Sequence, residues 1–249
     1  MLEPSVETKR DALNSARKTA LTAGVFYLAT FASSVPAVFL LGPVLSDPNY
    51  VTSAGNDTSV IWGCLLDLVN AAACVGTAVA LFPVVRLQNE SLALGFVTSR
   101  MFEAAVIAIG VVSLLAVVTL RQAGTSGTDH SSLIAAARAL VDVRDWTFLI
   151  GPGMVPAVNA LLLGYLLFRS RLVPRIIPVM GLIGAPLLLI SAITTMFGIN
   201  DQVSVMSAVA TLPIFLWELS LGLYLTFKGF KPAAVLDGAH STHSRRGRM

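Results

Sequence analysis

The fold is decided by long apolar stretches, and residues 59–85 are the plainest of them: SVIWGCLLDLVNAAACVGTAVALFPVV. This stretch carries one charged residue, Asp67, and exceeds the roughly 20 apolar residues that cross the hydrocarbon core of a bilayer. A helix satisfies its own backbone hydrogen bonds, which lipid cannot do. The stretch therefore predicts a transmembrane helix.

Similar long apolar stretches recur along most of the chain. Of the 249 residues, 55% are hydrophobic and 12% are charged, and the mean hydropathy is +0.77. A soluble domain has about 25% charged residues, so the excess apolar surface is typical of a membrane protein. Including the quoted stretch, the predicted spans are 20–45, 59–85, 92–120, 146–168, 176–197 and 203–227.

These spans predict an all-α, polytopic membrane protein whose six transmembrane helices form a bundle over residues 20–227. Residues 1–19 are expected to be an N-terminal tail, and residues 228–249 a basic, disordered tail. Between spans three and four, Ser131 and Ser132 can cap a helix with apolar residues at helical spacing. We therefore expect a short interfacial helix there, with Trp146 at headgroup level.

The distribution of Lys and Arg predicts the orientation, because cytoplasmic loops are enriched in positive charge. Thirteen of the 17 basic residues fall on one side: Lys9, Arg10, Arg17, Lys18, Arg86, Arg169, Arg171, Arg175, Lys228, Lys231, Arg245, Arg246 and Arg248. Arg121, Arg138 and Arg144 fall on the other side, and Arg100 lies within a span. Both termini are therefore expected in the cytoplasm.

Six polar side chains within the spans are candidates for a ligand- or ion-binding site, because a charge near the bilayer centre costs about 2.5–3.5 kcal/mol. They are Asp67, Asn70, Arg100, Glu103, Asn159 and Glu218. The spacings Asp67 to Asn70 and Arg100 to Glu103 each place two side chains on one helix face. At 1.5 Å of rise per residue, the two pairs lie roughly 12–18 Å from the cytoplasmic boundary.

Asn159 and Glu218 fall a little closer to the cytoplasm, within reach of the pairs if their spans neighbour the third. We therefore expect a single cluster with more acids than bases. Arg100 should pair with Glu103, Asp67 or both. Glu218, distant in sequence, should be the acid least tied to Arg100. At least one acid should then hold a proton or share a cation, since an unpaired carboxylate is disfavoured in low dielectric.

Several chemistries find no support in the sequence. The histidines, His130, His240 and His243, lie outside the predicted spans, so no haem, His-metal centre or Ser-His hydrolase is expected in the membrane. No phosphate-binding loop or dinucleotide fingerprint occurs. No basic helix interleaved with aromatics indicates nucleic-acid binding. We predict no catalytic residues, metal or cofactor, and consider an enzyme the least favoured class.

Three segments resemble the bacterial membrane proteins grouped as domain of unknown function 4386. They are Arg100-Met-Phe-Glu103-Ala, the run 163–175 (LGYLLFRSRLVPR) and the run 217–222 (WELSLG). The resemblance covers about residues 18–230. It implies a six-helix protein of the bacterial inner membrane, and it singles out Arg100, Glu103 and Glu218.

Two hypotheses for the function follow from the polar residues. In the first, the protein binds or transports a small molecule or cation at the intramembrane cluster. In the second, it is a non-catalytic partner or assembly protein whose cluster only specifies helix packing, as buried ion pairs can. The first requires a cavity that reaches the cluster, and the second requires a dry, fully paired cluster. The bilayer is the one partner that both hypotheses share.

Overall fold

The computed structural model of the protein describes residues 6–53, 56–123 and 130–232. Within these ranges the secondary structure is helical and contains no strand. The helices are α1 (Val6–Ser46), α2 (Asp57–Val85), α3 (Glu90–Ala123), α4 (His130–Ser170), α5 (Ile176–Met196) and α6 (Val205–Phe227). All six are long and apolar enough to cross a membrane, which confirms the predicted fold class.

Two helices extend well beyond the predicted spans. α1 begins at Val6, whereas its span was predicted to begin at Ala20. The helix predicted after Ser131 is present, but it is continuous with the fourth span and forms the first turns of α4. Residues 131–150 contain no Gly or Pro, so nothing in the sequence ends the helix before the span begins.

The six helices form a closed ring. Each helix packs against the next one in sequence, and α6 packs back against α1. At one end, here called the Arg17 end, Arg17 donates to the backbone carbonyl oxygens of Leu225 at 3.0 Å and Thr226 at 2.8 Å. At the opposite Arg121 end, Arg121 forms an ion pair with Asp57 at the start of α2. Arginine side chains thus join neighbouring helices at both ends of the ring.

The apolar core inside the ring has two parts separated by a polar layer. Along α3, Phe96 belongs to the part nearer the Arg17 end, and Ala104 belongs to the part nearer the Arg121 end. Arg100 and Glu103 lie between them and are buried. The layer therefore sits in the middle of the bundle, where water is scarce and electrostatic interactions are strong.

Candidate functional site

Arg100 on α3 is the centre of the polar layer. Its side chain is 2% exposed and contacts two carboxylates. Nη1 donates to Glu103 Oε2 at 3.1 Å, on the same helix face as predicted from the spacing, and Nη2 donates to Glu218 Oε1 at 2.6 Å. One guanidinium thus joins acids from two helices, α3 and α6.

Other side chains complete the surroundings of this ion triad. Asn159 on α4 is 2% exposed, and its Nδ2 donates to Glu103 Oε2 at 2.8 Å. Arg100 Nη1 also approaches the Cys74 Sγ of α2 at 3.6 Å. The guanidinium lies 5.1 Å from the ring centroid of Tyr27, which adds a cation–π contact from α1. Five helices therefore contribute to the triad and its surroundings, which we call the Arg100 cluster.

The position of Glu218 is fixed by the residue before it. Trp217 is 1% exposed and packs on Gly181 of α5, where an added Cβ would lie 2.7 Å from the indole. Glycine at this point lets α5 and α6 approach closely, as expected for small residues at membrane helix contacts. The buried indole fixes the orientation of α6 about its own axis. In this orientation Glu218 points towards Arg100.

The prediction that Glu218 is the acid least tied to Arg100 is wrong. Its Oε1 atom makes the shortest of the contacts to Arg100. Sequence distance misled the prediction, because the ring topology brings α6 back beside α1. The long Arg100 side chain then reaches Glu218 across the interior of the ring.

The prediction of a single cluster is also wrong, because Asp67 does not contact Arg100. Asp67 Oδ2 instead accepts a hydrogen bond from Arg144 Nη2 of α4 at 3.0 Å, and both side chains are 9% exposed. Arg144 was assigned to an outer connection because the fourth span was predicted to begin at Trp146. The unbroken α4 makes it a helix residue that can reach inwards, and this continuity was the signal that sequence reasoning missed.

Asn70 on α2 approaches the Arg100 cluster through Cys74. Its Oδ1 atom is 4.0 Å from Cys74 Sγ, the thiol that also approaches Arg100. This contact is long and weak. Asn70 therefore lies at the edge of the Arg100 cluster, and four of the six predicted site residues, Arg100, Glu103, Asn159 and Glu218, share direct contacts.

The Arg100 cluster has an unequal charge balance. With both carboxylates ionised, the single guanidinium leaves one negative charge uncompensated. Two buried atoms in the cluster, Arg100 Nε and Asn159 Oδ1, have no hydrogen-bond partner in the described part of the chain. Among the same residues, no group of three or more His, Cys, Asp or Glu side chains could hold a metal ion. The cluster thus contains one carboxylate more than its cation compensates, an unused donor at Arg100 Nε and an unused acceptor at Asn159 Oδ1.

Comparisons with known proteins identify the family. Residues 22–229 match the family described as Domain of unknown function (DUF4386). No match was found among curated proteins or among solved structures. Since the match covers most of the chain, the protein belongs to this family.

Proposed function

We propose that the protein binds a small cation, in the first instance a proton, at the Arg100 cluster within the membrane. The observation that carries the proposal is the sharing of one buried guanidinium by two carboxylates, Glu103 and Glu218. A bound proton removes the uncompensated negative charge. Binding and release of a cation at such a site is the elementary step of a cation-coupled transporter.

The energetic argument rests on the burial of the cluster. Protonating a free carboxylate at neutral pH costs about 4 kcal/mol. An uncompensated ion in a protein interior is penalised by several kcal/mol, so the two costs are similar in size. Burial of Glu103, at 4% exposure, therefore favours a shared proton between the two acids. Because the cost of protonation and the cost of the uncompensated charge are similar, the arrival of a charge or a ligand can make the cluster gain or lose a proton.

The arrangement of Asn159 suits an acid that changes its protonation state. Its Nδ2 atom donates to Glu103 while Oδ1 has no partner. Rotation of the amide would exchange these atoms and present an acceptor to a protonated Glu103. One side chain can thus satisfy both forms of the acid.

A second candidate function is structural, and the directness of the contacts favours it. Arg100 is 2% exposed and joins α3 to α6, while Glu103 joins α3 to α4 through Asn159. Such a network could fix helix packing in an assembly protein without exchanging anything with the medium. In that case, neutral replacements of the acids change neither proton binding nor transport.

The location of the protein is part of the proposal. The excess of Lys and Arg on the Arg17 side favours a cytoplasmic position for both termini, in the inner membrane of a bacterium. Glu218, the more exposed of the two acids at 14% for its side chain, is separated from the end of α6 at Phe227 by about 13 Å of helical rise. A proton would therefore exchange with the cytoplasmic side over a short distance.

Counting protons tests the proposal. Purified protein in unbuffered detergent solution is brought from neutral to alkaline pH, and the released protons are measured with an indicator dye. We expect the wild type to release one proton more per chain than Glu103→Gln or Glu218→Gln. Glu90→Gln, which changes an exposed acid at the start of α3, should match the wild type. Equal release by all four proteins would overturn the proposal.

A further inference from the structure

A cavity of about 190 Å³ lies beside the Arg144–Asp67 ion pair, and its lining does not include Arg100, Glu103 or Glu218. It is bounded by residues of α1, α2, α3 and α4. The polar side chains that line it are Ser34, Asp67, Asn70, Arg144 and Thr147. Its volume is below the roughly 300–1,000 Å³ of drug-sized sites, so it suits one small polar group.

One side of the cavity carries an ion pair with no net charge and with unused hydrogen-bond donors. Arg144 and Asp67 compensate each other at 3.0 Å. A guanidinium has five N–H donors, and in the described part of the chain the Arg144 side chain makes one hydrogen bond, from Nη2 to Asp67. Because Arg144 lines the cavity, an acceptor oxygen placed there can bind a further donor of its guanidinium.

The Arg144 side chain is held in this position by the shape of α3. A Cβ atom added to Gly110 would lie 2.9 Å from Arg144 Cδ and 2.7 Å from Thr147 Oγ1. The absence of a side chain therefore lets the aliphatic part of Arg144 pass across α3 towards Asp67. The ring of Phe148, 4.8 Å from the guanidinium, covers another side.

The mouth of the cavity is apolar and lies at membrane depth. Val35 and Val38 line it and are 47% and 54% exposed. They are about 16 Å and 12 Å of helical rise from the end of α1 at Ser46, which places them beside lipid rather than water. A molecule dissolved in the bilayer can therefore enter without crossing an aqueous surface.

We infer that this cavity is a binding site for an uncharged, membrane-dissolved molecule that presents a hydrogen-bond-accepting oxygen to Arg144. The neutral ion pair selects against a charged head, since any added charge would be uncompensated in low dielectric. The apolar mouth accepts the hydrocarbon part. Two sources share this chemistry: the carbonyl of a quinone and the ester or hydroxyl oxygen of a neutral glycerolipid.

Thermal stability in the presence of named probes tests the inference. The probes are a decyl-substituted benzoquinone, a medium-chain diacylglycerol, and decane as a control without oxygen. A ligand that binds only the folded state raises the Tm in a saturable manner. We expect one or both oxygen-bearing probes to do so and decane to have no effect. The probe that acts identifies the source.

Two variants show whether the probe occupies the cavity. Val38→Trp fills the mouth from an exposed position and should weaken the probe's affinity at least about ten-fold, the equivalent of one good contact. Val112→Trp, at a 67% exposed position of α3 outside the lining, should bind as the wild type does. Arg144→Lys keeps the charge opposite Asp67 but removes the guanidinium donors, and should weaken binding by a similar factor.

Three results would overturn the inference: no Tm change with either oxygen-bearing probe, an equal change with decane, or undiminished binding by Val38→Trp. If Arg144→Lys fails to fold, the exposed position 38 still decides the question. Glu218→Gln should bind the probe normally, because it lies outside the cavity. The inference therefore stands or falls independently of the proposed proton site.

Discussion

Arg100 is the side chain of the polar layer whose charge faces two opposite charges, those of Glu103 and Glu218. It is a permanent cation with 2% exposure, and two acids and an aromatic ring surround it. Removing one partner of a buried ion pair is strongly destabilising, because the remaining charge stays in low dielectric. The effect of replacing Arg100 on stability therefore depends on which of the two acids are still present without a partner.

Arg100→Ala should lower the free energy of unfolding by about 3–5 kcal/mol, the cost of stranding buried carboxylates. Adding Glu103→Gln to Arg100→Ala should restore part of this loss, since one fewer acid is stranded. The measurement is unfolding of the purified protein in mixed micelles. Arg86→Ala, at an exposed position after α2, is the control and should be nearly neutral. Equal stability of the single and double variants would contradict a shared network.

At the residue scale, the sequence predicted part of the site. The spacing of Arg100 and Glu103 was enough to predict their pairing, because the contact lies within one helix. The partner of Asp67 was not predictable in the same way. Its contact with Arg144 joins residues 77 positions apart, and it depends on where α4 begins and on the missing side chain at Gly110.

At the scale of the elements, the closing contact between α1 and α6 decides whether the ring forms. Gly24 of α1 packs against the backbone of α6: an added Cβ would lie 2.6 Å from Thr226 N and 2.9 Å from Gly222 O. Backbone atoms cannot move aside as a flexible side chain can. The two helices must therefore separate if position 24 gains a methyl group.

Gly24→Ala should consequently destabilise the protein by about 1–3 kcal/mol, the usual cost of overpacking a tight contact. Gly42→Ala provides a matched control in the same helix, because nothing lies within 4 Å of an added Cβ there. The control should be neutral or slightly stabilising, since Ala favours helix by about 1 kcal/mol over Gly. The two variants are compared by thermal unfolding in detergent. Equal Tm values would argue against a tight contact between α1 and α6 at Gly24.

Helix existence was predictable from apolar length alone, whereas helix ends were not. α2 was predicted as 59–85 and observed as Asp57–Val85, because Asn56 accepts a hydrogen bond from the Thr58 backbone N–H and caps it. α4 starts at His130, well before the predicted span at Trp146. Hydropathy locates the part of a helix that lipid contacts, and it does not detect a polar extension of the same helix.

At the scale of the whole molecule, the beginning of α1 and the end of α6 lie at the same end of the ring, where Arg17 joins them. The positive charge at that end predicts the cytoplasm. An alkaline phosphatase fusion placed after Lys228 should therefore be inactive, while a fusion after Arg121 should be active because it is exported. An active fusion after Lys228 would contradict this topology, because either the orientation or the even number of spans would then be wrong.

The central claim is that Glu103 and Glu218 share a proton, and infrared spectroscopy tests it most directly. A protonated carboxylic acid has a carbonyl stretch that a carboxylate lacks. We expect this band in the wild type at neutral pH, shifted by ¹³C labelling of glutamate. It should disappear in Glu103→Gln and in Glu218→Gln, because the remaining acid is then ionised opposite Arg100. It should persist in Asp67→Asn. A wild-type spectrum without the band, or a band unchanged in both Glu variants, would contradict the claim.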